Sequence, residues 1–249
     1  MLTIRTAQLD VFRAQAADRF DRRMLAALAR TFPRDHARLG DAPLLALARD
    51  GRARAARQGW RSEQSVYLFL ALALMFGIGF DSDPQLPWLQ QALVDEPGAH
   101  PVARLFELHA RALDQLDAVE GEHNEHLIKA LVRHRALDLA RFETDEDGTR
   151  DALIAVTLAD MHPRKAAVLG EAGLRATARA AGAQARAHGL HGARAQGLVA
   201  LLRFMLGHQF DDDPAHPWVG RALAMPGPEA VRVQVLHEAA LGLLAHGLG

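Results

Sequence analysis

The chain of 249 residues contains no cysteine and a single tyrosine. Without cysteine there are no disulfides, no thiolate nucleophile and no cysteine-ligated zinc, and the composition fits a reducing compartment. Serine is confined to Ser62, Ser65 and Ser82, each placed where capping or helix packing explains it, which argues against serine catalysis. A glycine-rich phosphate loop, a Gly-x-Ser-x-Gly elbow and kinase or zincin patterns are also missing. The most apolar stretch, 66–79, is too short to span a bilayer as a helix. Residues 1–5 lead into a charged helical pattern, without the apolar run and cleavage site of a signal peptide. A formal net charge of −1 offers no global field to draw nucleic acid or an anionic membrane. These absences argue against enzymatic chemistry, no cofactor or metal is expected, and the lack of cysteine and of a signal peptide fits a cytoplasmic protein.

What the chain does have is an internal repeat. Gly77-Ile78-Gly79-Phe80-Asp81-Ser82-Asp83-Pro84-Gln85-Leu86-Pro87-Trp88 recurs 130 residues later as Gly207-His208-Gln209-Phe210-Asp211-Asp212-Asp213-Pro214-Ala215-His216-Pro217-Trp218. The offset holds without a gap back through Gly59/Gly189, Leu44/Leu174, Gly40/Gly170 and Pro33/Pro163, and more weakly to Phe12/Phe142 and Leu9/Leu139. One residue is lost before Pro97-Gly98/Pro226-Gly227. Such a repeat predicts one folded unit duplicated and fused.

The apolar periodicity is helical nearly throughout. Leu9, Phe12, Phe20, Met24, Leu25 and Leu28 mark a first helix, capped by Thr6 and ended at Pro33. Further helices are expected over 43–58, over 62–76 with Ser62 as cap, and over 87–94 and 101–119. The later half repeats the plan over 151–161, 171–188, 192–206, 217–224 and 228–246, with 122–141 as a joining helix or the start of the second unit. The glycine and acids of 144–148 are expected to break the helix there. The expected fold is all-α, with two tandem related lobes about an approximate two-fold axis. The first repeat spans 1–119; the joining helix and second repeat span 120–249. A monomer with pseudo-dimeric repeats follows.

The Phe-Asp-x-Asp-Pro-x-x-Pro-Trp motif is the most specific feature. Asp81, Asp83, Asp211, Asp212 and Asp213 supply oxygens that could hold a divalent cation. The architectural reading is simpler. Phe80 and Phe210 anchor the connection, Asp83 and Asp213 before Pro84 and Pro214 cap the following helix, and Trp88 and Trp218 pack inward. As a catalytic pair the acids would have to converge in one pocket, and the repeat places them in different lobes. Glu122, His123, Glu125, His126 and His134 form a second cluster, in which His123 and His126 share a face at helical spacing. A metal or small-ligand site there is the alternative to a solvated polar face. Residues 143–148 resemble half an EF-hand loop, but Ile154 stands where a bidentate acid is needed. Arg54, Arg57 and Arg61 cluster around Trp60, while Leu190 and His191 occupy the last two places in the later half. A set present once is a candidate protein interface, since Arg and Trp are enriched among interface anchors.

Met1-Leu2-Thr3-Ile4-Arg5 with Gln8, then Gly59, Ser62-Glu63, Met75, Gly77, Phe80-Asp81-x-Asp83-Pro84 and Pro87-Trp88, carry a resemblance. They resemble a group of small helical bacterial proteins encoded beside type VI secretion spike, tip and effector genes. The resemblance covers roughly residues 1–95 and reaches the rest only through the repeat. It implies an adaptor, chaperone or immunity protein of a toxin-delivery system, whose partner is a secreted effector or a spike component.

Overall fold

The computed structural model describes residues 6–94, 101–144 and 147–246. All regular structure among them is helical. The first lobe holds α1 (Thr6–Thr31), α2 (Pro33–Leu39), α3 (Asp41–Arg57), α4 (Glu63–Phe76), a 3-10 turn at Phe80–Ser82, α5 (Pro87–Val94) and α6 (Pro101–Glu120). The joining helix is α7 (Glu125–Arg135). The second lobe holds a 3-10 turn at Leu139–Phe142, then α8 (Asp147–Met161), α9 (Pro163–Ala187), α10 (Ala193–Leu206), α11 (Pro217–Ala224) and α12 (Glu229–His246). No described helix is long and apolar enough to cross a membrane.

Each lobe has its own apolar core. Leu47, Phe69, Leu70, Leu72 and Phe80 belong to the first, and Phe142, Leu198, Leu201, Phe204 and Phe210 to the second. The central helices α4 and α10 are buried on nearly every side, as expected of segments that are hydrophobic all round. Both end at a glycine with positive φ, Gly77 at 89° and Gly207 at 96°. Gly40 and Gly170 adopt nearly the same dihedrals, φ 76°, ψ 179° and φ 66°, ψ 172°. Gly40 separates α2 from α3, and Gly170 kinks α9 at the corresponding place. Pro33, expected only to end a helix, also opens α2, because its fixed φ suits a first turn. At the start of α4 the Ser62 hydroxyl accepts from Ser65 N at 3.1 Å, as expected. Gly192 cannot do this for α10; instead the Glu229 carboxylate accepts from Gly192 N at 2.7 Å and His191 N at 3.0 Å.

One expectation about the chain between the lobes needs correction. The joining segment is not one helix over 122–141. Asn124 takes a left-handed conformation with φ 57° ahead of α7, and the chain leaves helix after Arg135. The expected break at 144–148 falls between Phe142 and Asp147, with residues 145–146 outside those described. The 97–98 turn also lies outside them, as does the side chain of Thr6 that the expected cap would use.

That break separates the fates of two matching pairs. Leu139 and Phe142 fold back into the second core, at 8% and 0% exposure. The Phe142 ring lies over Gly197, where a Cβ would come within 2.1 Å of it. In the first lobe α1 continues unbroken through the matching positions, and Leu9 and Phe12 stand out at 39% and 59% exposure. The place matching Gly197 is Tyr67, whose hydroxyl donates to Thr31 Oγ1 at 2.8 Å. Phe142→Ala should therefore cost about 3–5 kcal/mol in a denaturant titration. Phe12→Ala should change stability by less than about 0.5 kcal/mol.

Candidate functional site

The two Phe-Asp motifs meet. Asp83 Oδ1 accepts from Gln85 N at 2.9 Å within its own turn, and its Oδ2 accepts from His208 N of the other lobe at 3.0 Å. Asp213 does the same in reverse: Oδ1 accepts from Ala215 N and Oδ2 from Ile78 N, both at 2.8 Å. The helix ends approach as closely. A Cβ on Gly77 would lie 2.6 Å from the Leu206 carbonyl oxygen, and one on Gly207 would lie 2.7 Å from that of Phe76. Both glycines are thus required twice, by positive φ and by backbone contact.

The expectation that the repeat keeps these acids apart is overturned: the motif is the contact between the lobes. The helix-capping role also needs correction. Asp83 and Asp213 cap the turn after them and the opposite backbone, while α11 is preceded by His216 with no side-chain cap. Each acid uses both oxygens on backbone N–H groups, so neither is free for acid–base chemistry. Phe80 and Phe210 are buried as expected. Trp88 and Trp218 are only half-buried, while the next residues of the same helices, Leu89 and Val219, are fully buried. Phe76 packs edge-on to Trp88 at 6.1 Å, and His216 packs edge-on to Trp218 at 6.4 Å. Asp81 and Asp211 flank the contact, with Arg54 Nη1 3.9 Å from Asp81 Oδ1 and His188 Nε2 2.7 Å from Asp211 Oδ2.

The electrostatics of the two acids differ. Burial works to raise the pKa of Asp83, but hydrogen bonding by His208 and Gln85, with the charge of Lys165, brings it below the usual carboxylate value. Asp213 is pushed up by burial, only partly offset by the N–H groups of Ala215 and Ile78 and by Arg54. The difference is one of neighbours, since Ile78 stands where the other lobe has His208. Lys165 projects from the first turn of α9. Its ammonium donates to the Phe204 carbonyl and lies 4.9 Å from that ring's centre. Burial lowers its pKa against the pull of Asp83 and Glu120. Burial raises the pKa of Glu120, which ends α6, against the pull of Lys165.

The Arg-Trp cluster does not form one surface. Trp60 is 4% exposed and packs in the first core against Phe69, with ring centres 5.8 Å apart. Arg54 turns to the junction, where Nη2 donates to Gln209 Oε1 at 2.7 Å; a Cβ on Gly79 would crowd that glutamine. Only Arg57 and Arg61 remain exposed. The reason is the turn at Gly59, with φ 82°, which takes Trp60 out of the helix and back towards α3, where its N–H donates to the Ala55 carbonyl at 2.9 Å. The His-Glu cluster does not assemble either. His123 precedes α7, His126 lies 3.8 Å from Glu125, and His134 is buried against His237 with ring centres 6.4 Å apart. Among the described residues no group of three or more His, Asp or Glu could hold a metal ion. The residues that sequence reasoning missed are Gln85, Glu120, His162 and Lys165. Their only signal was asymmetry, because Ala215 and Asp35 occupy the places matching Gln85 and Lys165.

No protein-family model, curated protein or solved structure matches the chain.

Asp83→Ala should cost about 2–4 kcal/mol, more than an exposed cap, because two N–H groups lose their acceptor. Gly77→Ala should cost at least about 2 kcal/mol from φ alone. Both are read from chemical denaturation.

His162 gives the pH dependence. Its Nδ1 accepts from Lys165 N at 3.4 Å, capping α9, which requires the neutral ring. Burial, then the charge of Lys165, brings its pKa down from 6.5 to about 4. The folded state thus binds this proton less readily than the unfolded chain. Stability is full above about pH 6.5 and falls as the pH drops towards 4. Through this group the protein should be about 1 kcal/mol less stable at pH 5 than at pH 6. His134 and His216 are displaced by burial to about 4 as well and act in the same direction. His162→Asn keeps an acceptor at the cap and should flatten the slope measured by denaturation across this range.

Proposed function

We propose that the chain is a non-enzymatic protein-binding module built from a duplicated helical unit, its halves related by an approximate two-fold axis. The reciprocal hydrogen bonds of Asp83 and Asp213, spaced as the repeat is, support the duplication. That both carboxylates are spent on backbone amides supports a scaffold rather than an acid–base centre. In this reading the protein is a monomer that serves as adaptor, chaperone or immunity protein of a toxin-secretion system, with a secreted effector or spike component as partner. The resemblance of residues 1–95 supplies that context.

One observation carries the binding role. Leu139 and Phe142 are core in the second lobe, while their counterparts Leu9 and Phe12 are exposed, with Val11 beside them at 55%. The second lobe shows what such a pair is suited to: insertion into an apolar groove between helices. In the first lobe Tyr67 stands where that groove would open. The exposed apolar residues of α1 are then offered to another protein, in the helix-in-groove manner.

The test is co-purification with the products of neighbouring genes. Val11→Ser with Phe12→Ser should leave the fold intact and abolish capture. A folded double variant that still captures its partner overturns the assignment to α1. Charge reversal at Arg57 and Arg61 probes the remaining exposed part of the Arg cluster and should leave capture unchanged.

A further inference from the structure

The junction of the lobes brings together a serine, an imidazole and a carboxylate. Ser82 ends the 3-10 turn of the first motif and is exposed, His208 comes from the second lobe, and Asp83 is 2% exposed. The Ser82 Oγ lies 3.4 Å from His208 Nε2, and His208 Nδ1 lies 3.6 Å from Asp83 Oδ2. Both separations are long for hydrogen bonds, as such contacts often are before a reactant tightens them.

The surrounding network fixes the tautomer. Arg54 Nη2 donates to Gln209 Oε1 at 2.7 Å, which leaves Gln209 Nε2 to donate to His208 Nε2 at 3.1 Å. His208 Nε2 is therefore an acceptor, and the ring proton sits on the buried Nδ1, on the side of Asp83. A general base beside a serine needs this tautomer. The Nε2 lone pair is shared between the Gln209 amide and the Ser82 hydroxyl, whose other acceptor is the Gly79 carbonyl at 3.2 Å. Gly79 also lets the ring come close, since a Cβ there would lie 2.7 Å from His208 Cε1 and 2.8 Å from Gln209 Cδ. The set occurs once. Asp212, Ile78 and Gly79 stand at the places matching Ser82, His208 and Gln209. Ser82 reads as a capping residue in the sequence because His208 lies 126 positions away.

We propose that Ser82 is a nucleophile activated by His208 and accepts an acyl group from an activated ester. Ser82 Oγ attacks the ester carbonyl carbon, and a C–O bond forms as His208 Nε2 takes the hydroxyl proton. The bond from that carbon to the leaving oxygen then breaks, and the leaving oxygen takes the proton from His208 and departs as the alcohol. Asp83 is a positioning residue: it orients the ring and stabilises the imidazolium without itself taking a proton, so its bonds to backbone N–H groups stay in place. Ser82 is on an exposed turn, and the reaction assigned to it is a single acylation. This is compatible with a non-enzymatic module and independent of the binding role assigned to α1.

The probe is p-nitrophenyl acetate added to the full folded chain, followed by p-nitrophenolate release and by peptide mass mapping. A single equivalent should be released, and one acetyl group should appear on Ser82 and on neither Ser62 nor Ser65. The urea-unfolded chain should not acquire it, and Ser82→Ala should lose both the acetyl group and the release above solvent background. His208→Ile should slow acylation at least about 100-fold. Isoleucine already occupies the matching place as Ile78, so the backbone accepts it; His208→Gln serves if that variant does not fold. Val11→Ser with Phe12→Ser should leave acylation unchanged, whatever it does to partner capture. No acetyl group on Ser82, equal acetylation of the unfolded chain, or an unchanged rate in a folded His208 variant overturns the proposal. Release well beyond one equivalent that disappears with Ser82→Ala keeps the nucleophile but overturns the single acylation, and with it the non-enzymatic reading.

Discussion

The structure depends on a reciprocal exchange at its centre. Each lobe offers a buried carboxylate, Asp83 or Asp213, to a backbone N–H of the other, and each carboxylate also closes its own turn. Buried charges are tolerated only when fully hydrogen-bonded. Four N–H groups meet that demand, and they come from both lobes at once. The glycines at the ends of α4 and α10 make the exchange sterically feasible, since any side chain there would strike the opposing carbonyl. Separating the lobes would leave both acids half-satisfied, so folding of one half and docking of the other are coupled.

Around this shared geometry the two sides differ in charge. Asp83 has His208, Gln85 and Lys165 about it, which outweigh its burial and lower its pKa; at Asp213 burial outweighs the N–H groups and Arg54, and its pKa is raised. Hydrogen bonding of the same kind thus coexists with opposite proton affinities. The Lys165 ammonium serves the last turn of α10, Asp83 and Glu120. A cation at a helix C-terminus is favourable in itself, which accounts for a lysine held there despite its desolvation.

Much of the fold was legible in the sequence, for local reasons. Proline and glycine punctuate the helices, Ser62 marks a true cap, and the repeat predicts paired helices at a fixed spacing. What escaped was long-range. Nothing local to Asp83 says that its second oxygen faces a backbone N–H 125 positions away. The Asp-Pro pair reads as a helix cap because that is the nearest use for such a carboxylate. Trp60 reads as surface because arginines surround it, yet a turn at a positive-φ glycine sends it inward. The Gln85, Glu120, His162 and Lys165 group is spread over four elements and has no motif. Only the mismatch with the other half of the chain hinted at it.

The exchange at the centre joins two parts of one polypeptide, not two identical chains. In an assembly of identical subunits every substitution appears twice, so a lysine beside one carboxylate would be a lysine beside both. Here position 165 is Lys while position 35 is Asp, and position 85 is Gln while position 215 is Ala. One flank can therefore carry polar groups that the other lacks. The covalent link also frees the contact from dilution, because the second lobe is always present at high effective concentration. A single chain of this kind can carry a one-sided feature on a two-sided frame, at a stoichiometry of one per molecule.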